Sequence, residues 1–98
     1  MARLIWTARA RDDLERLIEY IAKDAPLTAC RFAQRIIDRV ELLQSNPNAG
    51  SWTLEDETRT YREILQGSYR IIYRVEGDAI YLVAVHHAAR LLDVDELT

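Results

Sequence analysis

The sequence predicts an α+β domain of order β-α-α-β-β-β, a helical hairpin packed on one face of a small antiparallel sheet. Three observations predict it. Apolar residues recur with a helical period through the first half of the chain. After the acidic run Glu55-Asp56-Glu57 the period changes to two. Short glycine-containing joints then separate the alternating segments, as in antiparallel hairpins.

The elements follow in order. Arg3 to Trp6 is a short apolar segment that predicts an N-terminal strand. Thr7 is placed to cap a helix, because its hydroxyl can accept from an unpaired amide of the first turn. Ala10, Leu14, Leu17, Ile18 and Ile21 form one face of that helix, and charged residues from Arg11 to Glu19 fill the rest. The helix should stop near Asp24. Pro26 fits the first turn of a second helix, where its missing N–H costs nothing. Ala29, Phe32 or Ala33, Ile36, Val40 and Leu43 make the buried stripe of this second helix, and the run from Ser45 to Gly50 ends it. Strands are predicted over 59–65, 69–76 and 79–86, joined by Gln66-Gly67-Ser68 and Glu76-Gly77-Asp78. The last strand is apolar on both faces and belongs inside the sheet. The charged segment 90–97 fits one helical turn or two.

With 98 residues there is room for a single domain, 1–98. The composition, 49% apolar and 30% charged, is that of a soluble globular protein. A lone cysteine, Cys30, excludes an internal disulfide and suits a reducing compartment. The longest apolar run, Ala79 to Val85, is too short to span a bilayer, and no secretion signal opens the chain. The expected location is the cytoplasm, with no membrane contact. A net charge of −3 argues against a general nucleic-acid coat. Of the 13 basic residues all but Lys23 are arginine, whose planar fork favours bidentate contacts with carboxylate or phosphate.

Within the segment Tyr69 to Val75, alternation puts Tyr69, Ile71, Tyr73 and Val75 in one row and Arg70, Ile72 and Arg74 in the other. If the helices cover the first row, the second lies on an open sheet face and presents two arginines. They could form a binding surface, or simply pair with Glu63 and Glu76 across the strands. His86 and His87 are adjacent, so they point to opposite faces and make no joint metal site. One of them reads as a hydrogen-bonded structural histidine. Cys30 lacks a histidine at a recognisable spacing and reads as a packed or half-exposed thiol. Trp6 and Trp52 read as core and loop packing. No metal or other cofactor is expected.

An ordered set of residues resembles the RelE/ParE superfamily of small bacterial toxins from type II toxin–antitoxin pairs. It comprises Trp6-Thr7, Ala10, Asp13-Leu14, Ile18, Tyr20-Ile21, Asn46-Pro47 and Gly50, then Arg62-Glu63-Ile64, 69–75, Ile80, Val83, Val85 and His87-Ala88-Ala89-Arg90. The resemblance spans nearly the whole chain and implies the same fold. It also implies growth inhibition, plasmid stabilisation and a cognate antitoxin that wraps the toxin in a hetero-oligomeric complex. The antitoxin would seat on Arg70, Ile72 and Arg74.

Within that superfamily two activities are open. The RelE-like branch cleaves messenger RNA on the ribosome; here Arg70 would hold the phosphate and Glu63, or second to it His87, would be the base. Metal-free cleavage also needs an acid for the leaving oxygen. Cleaving relatives place arginine or histidine near Ala88 and a tyrosine soon after, and this chain has neither. The ParE-like branch is associated with poisoning DNA gyrase, and the His-x-x-Arg ending at His87 to Arg90 is nearer to it. In that branch Arg62, Arg70, Arg74, His87 and Arg90 would contact the target. An inactive member that only binds antitoxin is a third reading.

Overall fold

Thr7 joins the first strand to the first helix and fixes both against the sheet. The computed structural model describes residues 1–97. In it β1 spans Arg3–Trp6 and α1 spans Ala8–Ala22. The Thr7 hydroxyl accepts from Ala10 N at 3.2 Å and donates to the Leu82 carbonyl at 2.7 Å. One side chain thus caps α1 and anchors its start to the last strand. Helix α2, Pro26–Glu41, carries proline in its first turn and runs into a short 3₁₀ turn at Leu42–Gln44.

The remaining strands are β2 (Ser51–Trp52), β3 (Arg62–Gln66), β4 (Tyr69–Glu76) and β5 (Ala79–His87), in the sheet order β1-β5-β4-β3-β2. β4 and β5 are therefore interior. The sheet is mixed rather than antiparallel, because β1 pairs parallel with β5, from Arg3↔Ala79 to Trp6↔Leu82. No tight turn links β1 to a neighbour; a whole helical hairpin intervenes, which is the kind of crossover a parallel pairing requires.

Both helices pack on one face, as predicted. Ala10, Ile36, Val40 and Leu43 meet Ile64, Ile71, Tyr73, Ile80 and Leu82 there, and Leu4, Trp6, Leu14 and Phe32 close the margins. Tyr73 is fully buried; its hydroxyl donates to the Pro47 carbonyl at 2.8 Å and accepts from Gly50 N at 2.9 Å. A Cβ on Gly50 would lie 2.6 Å from Tyr73 Oη and 2.7 Å from the Glu63 carbonyl. Only glycine lets the chain pass so close, which is what the Asn46-to-Gly50 segment is for.

The strands differ from the sequence reading at four points, one of them the end of β3 at Gln66 rather than residue 65. β2 is a two-residue strand too short to show a period. β3 begins at Arg62 rather than residue 59, because Asp56 gathers the preceding residues into a turn. Its Oδ1 accepts from Thr58 N and Oγ1, and its Oδ2 from Thr60 N and Tyr61 N. Arg59 takes a left-handed conformation there, φ 55°. Burial alone would raise the Asp56 pKa, but these hydrogen bonds, led by the Thr58 side chain, hold it below the usual carboxylate value. β5 extends one residue further, to His87.

The larger correction concerns the second sheet face, which is not open. Ile72, Val83 and Ala84 pack beneath Tyr61 and Leu92, with Tyr81, Val94 and Leu97 alongside. A bulge sets this up: Ile72 faces Ala84 while Tyr73 faces Leu82, so Val83 is the extra residue. The charged C-terminal segment contributes a single 3₁₀ turn at Val94–Leu97, and its apolar residues form the cover.

Candidate functional site

Arg70 lies in the middle of this covered face, on β4, and is 7% exposed. Its neighbour across the sheet, Glu63, is two residues from its direct partner on β3, since Arg70 pairs with Leu65. Arg70 Nε donates to Glu63 Oε2 at 3.1 Å and Nη2 to Glu63 Oε1 at 2.9 Å. A second carboxylate arrives from the loop before β3: Nη1 and Nη2 donate to Glu55 Oε2 and Oε1, each at 2.7 Å. Nη1 also reaches the Arg90 carbonyl at 3.4 Å. All five N–H groups of the guanidinium are therefore engaged. Glu55 Oε2 accepts in addition from Leu92 N at 3.0 Å. One side chain thus ties together β3, the acidic loop and the C-terminal segment.

The electrostatics match this geometry. Arg70 hydrogen bonding, opposed by burial and helped by the Leu92 amide, holds the Glu55 carboxyl down at about 2. Glu55 and then Glu63 in turn raise Arg70 above its ordinary value, against the effect of burial. Two carboxylates surround one cation, and the guanidinium presents no free donor to a phosphate.

The other residues singled out from sequence do not converge on Arg70. Ile72 is fully buried, so it cannot anchor an antitoxin on an exposed face as expected. His87 pairs with Tyr69 and touches its ring edge-on, and Tyr69 in turn touches Phe32 of α2. His87 therefore points to the helix side, away from Arg70 and Glu63, because cross-strand partners share a face. Its Nδ1 accepts from Ala89 N at 3.1 Å. Arg62 also faces the helix side; its Nη1 donates to the Gly50 carbonyl at 2.8 Å, and its guanidinium lies 3.9 Å over the Trp52 ring. Arg74 shares the face of Arg70 but sits over Tyr81 at 4.2 Å and pairs with Glu76 at 3.0 Å. Arg90 is exposed beyond β5, at a charged cleft of about 570 Å³ shared with Arg9, Asp13, Arg16 and Glu96.

His86, not His87, stands beside Arg70 across β4 and β5. It is 3% exposed, and neither ring nitrogen has a hydrogen-bond partner, so it is not the satisfied histidine the sequence suggested. Burial, then the Arg90 charge, lowers its pKa. Cys30 is exposed. Among the described residues no cluster of histidine, cysteine or acid groups could hold a metal, and no helix is long and apolar enough to cross a membrane.

Sequence reasoning missed Glu55 as a partner of Arg70. The acidic run containing it was visible, but the pairing bridges 15 residues through an irregular loop. It also missed a cavity of about 500 Å³ over the arginine cluster, rimmed by Leu54, Leu65, Ala88 and Leu91.

A helical hairpin on a five-stranded mixed sheet, with an arginine-centred cluster under a C-terminal cover, defines the class: a small α+β domain. The comparisons give its family. The model for the ParE toxin of the type II toxin–antitoxin system parDE matches residues 4–92. The chain belongs to that family and is a toxin of a type II toxin–antitoxin pair. It is similar to Toxin RelE2 of Caulobacter vibrioides, 36% identical over 92 residues that cover 93% of this chain and 100% of that one. Its fold is shared with the chromosomal ParDE system of P. aeruginosa, at TM-score 0.76 and 24% identity over 89% of this chain and 96% of that one. It is shared also with the RelBE2 toxin–antitoxin complex of Mycobacterium tuberculosis, at TM-score 0.66 and 21% identity over 88% and 96%.

Proposed function

We propose that this toxin arrests growth by binding DNA gyrase, and that its cognate antitoxin neutralises it in a hetero-oligomeric complex. The observation that supports a binding toxin over a nuclease is the state of Arg70. Cleavage through the 2′-hydroxyl needs cationic donors on the phosphate and a base and an acid placed about it. Here the strand arginine is enclosed by two carboxylates, Glu63 is committed to it, and His87 lies across the sheet. Ala88 and Ala89 have no proton to give. The target contacts in this reading come from Arg62, Arg74 and Arg90, which reach the surface. Arg70 acts by holding the second sheet face closed. Gyrase is a cytoplasmic target, which places the protein in the cytoplasm.

Ribosome-dependent message cleavage is the second reading, favoured by the similarity to a toxin named RelE2. It requires Arg70 to release Glu55 on the ribosome. A supercoiling assay with purified gyrase tests the proposal: stoichiometric toxin should abolish supercoiling or trap cleaved DNA. Unchanged supercoiling together with degradation of ribosome-bound message would reverse the order of the two readings. Expression without antitoxin should halt growth, and unhindered growth would mark an inactive, antitoxin-binding member.

A further inference from the structure

Arg31, Arg35 and Arg39 follow one another at intervals of four on α2, so they form a single line along the helix. Arg31 and Arg35 are exposed and Arg39 is half-buried. None of the three has an ion-pair partner among the described residues. Asp38, the nearest acid on the helix, accepts from Gln34 Nε2 at 2.7 Å. Like charges at this spacing repel by a few tenths of a kcal/mol per pair, so the line is electrostatically uncompensated in the free toxin.

The line ends at an unfinished strand edge. β2 pairs with β3 only at Ser51↔Glu63 and Trp52↔Arg62, leaving the outer edge from Ile64 to Gln66 without a strand. The Leu65 carbonyl turns outward there and accepts from Arg39 Nε at 3.3 Å. In an antiparallel strand a residue's N–H and C=O face the same side, so the Leu65 amide also faces outward. Exposed apolar side chains lie at this edge: Leu54 is 95% exposed and Leu65 55%. A cavity of about 500 Å³ lies between Arg39, Trp52, Leu54 and Leu65.

We propose that this edge and the α2 arginine line together form the docking surface for an extended acidic segment of the antitoxin. The segment would bond to the Leu65 main chain, cover Leu54 and Leu65 with alternate apolar side chains, and set carboxylates on Arg31, Arg35 and Arg39. A nucleic-acid backbone would satisfy the arginines but leave the leucines exposed, and that mismatch favours a peptide. The inference rests on the assignment of the protein as an antitoxin-binding toxin, and it moves the docking surface from the covered sheet face to the β3 edge.

The test uses the full-length toxin and the protein encoded by the gene adjacent to its own, with affinity measured by calorimetry across a salt series. Arg31→Glu with Arg35→Glu should weaken binding at least tenfold and flatten its salt dependence. Leu65→Asp should weaken it comparably. Both variants should keep the wild-type melting temperature and still arrest growth. Affinity within twofold of wild type for both variants would overturn the docking surface alone. No binding by the wild-type toxin would overturn the underlying assignment as well. Unchanged antitoxin affinity with lost binding to a DNA oligonucleotide, or with lost self-association, would also overturn the proposal, by giving the line a different occupant.

Discussion

The two faces of the sheet are closed by different means. On the helix side, two long amphipathic helices bury a continuous apolar cluster. On the other side, Tyr61 and a C-terminal segment with one 3₁₀ turn lie over Ile72, Val83 and Ala84, and a single guanidinium ties that segment to the acidic loop and β3. The first closure is distributed over many contacts that each contribute modestly. The second is concentrated in one buried ionic cluster, so it should fail abruptly when that cluster is disturbed.

Removing the centre of the cluster should have the largest effect. Arg70→Ala leaves Glu55 and Glu63 without their cation and should cost about 3–5 kcal/mol in urea unfolding. Hydrogen exchange at Leu92 N should rise with it. A loss below about 1 kcal/mol would show that the second face does not depend on this residue. On the helix side, Ile36→Ala should cost about 2–5 kcal/mol through lost contact and the cavity left behind. It should leave Leu92 N protected relative to global unfolding, which separates the two closures.

Acid should loosen the second face in two stages. The folded pKa of His86 is depressed below 6.5, so the unfolded chain takes up a proton that the folded one refuses, and stability falls as pH drops below that value. Glu55 is held at about 2 against an ordinary 4.5. Its contribution is fully present above 4.5 and is lost as pH falls toward 2. Glu55→Gln should remove that lower limb of the profile, on the order of 2–3 kcal/mol; an unaltered acid limb would break the assignment. The smallest effect sits at the start of α1. Thr7→Ala removes the cap of α1 and its bond to Leu82, and should cost about 1 kcal/mol.

The difference between the faces also explains what was legible in the sequence. Helical spacing at Ala10, Leu14, Ile36 and Val40, and alternation at Tyr69 to Val75, report directly on packing against a broad surface. Hence the helical hairpin, three strands and interior β5 could all be read. The mixed pairing of β1, the bulge at Val83 and the two residues of β2 depend on contacts distant in the chain and leave no period. The cover over Ile72 was hidden for a related reason: Leu92, Val94 and Leu97 sit among acids in a segment that read only as one helical turn or two. Arg70 was legible as unusual, and the alternative of pairing with Glu63 was also in view. Its second carboxylate was not, because Glu55 lies in an irregular loop where spacing carries no orientation.

The most direct measurement of this account is a double-mutant cycle between Arg70 and Glu55, using Arg70→Met and Glu55→Gln in urea unfolding. Coupling of about 2 kcal/mol or more is predicted, with the tail amides freed in each single variant. Additive effects, with coupling near zero, would mean that the guanidinium is not what holds the second face shut.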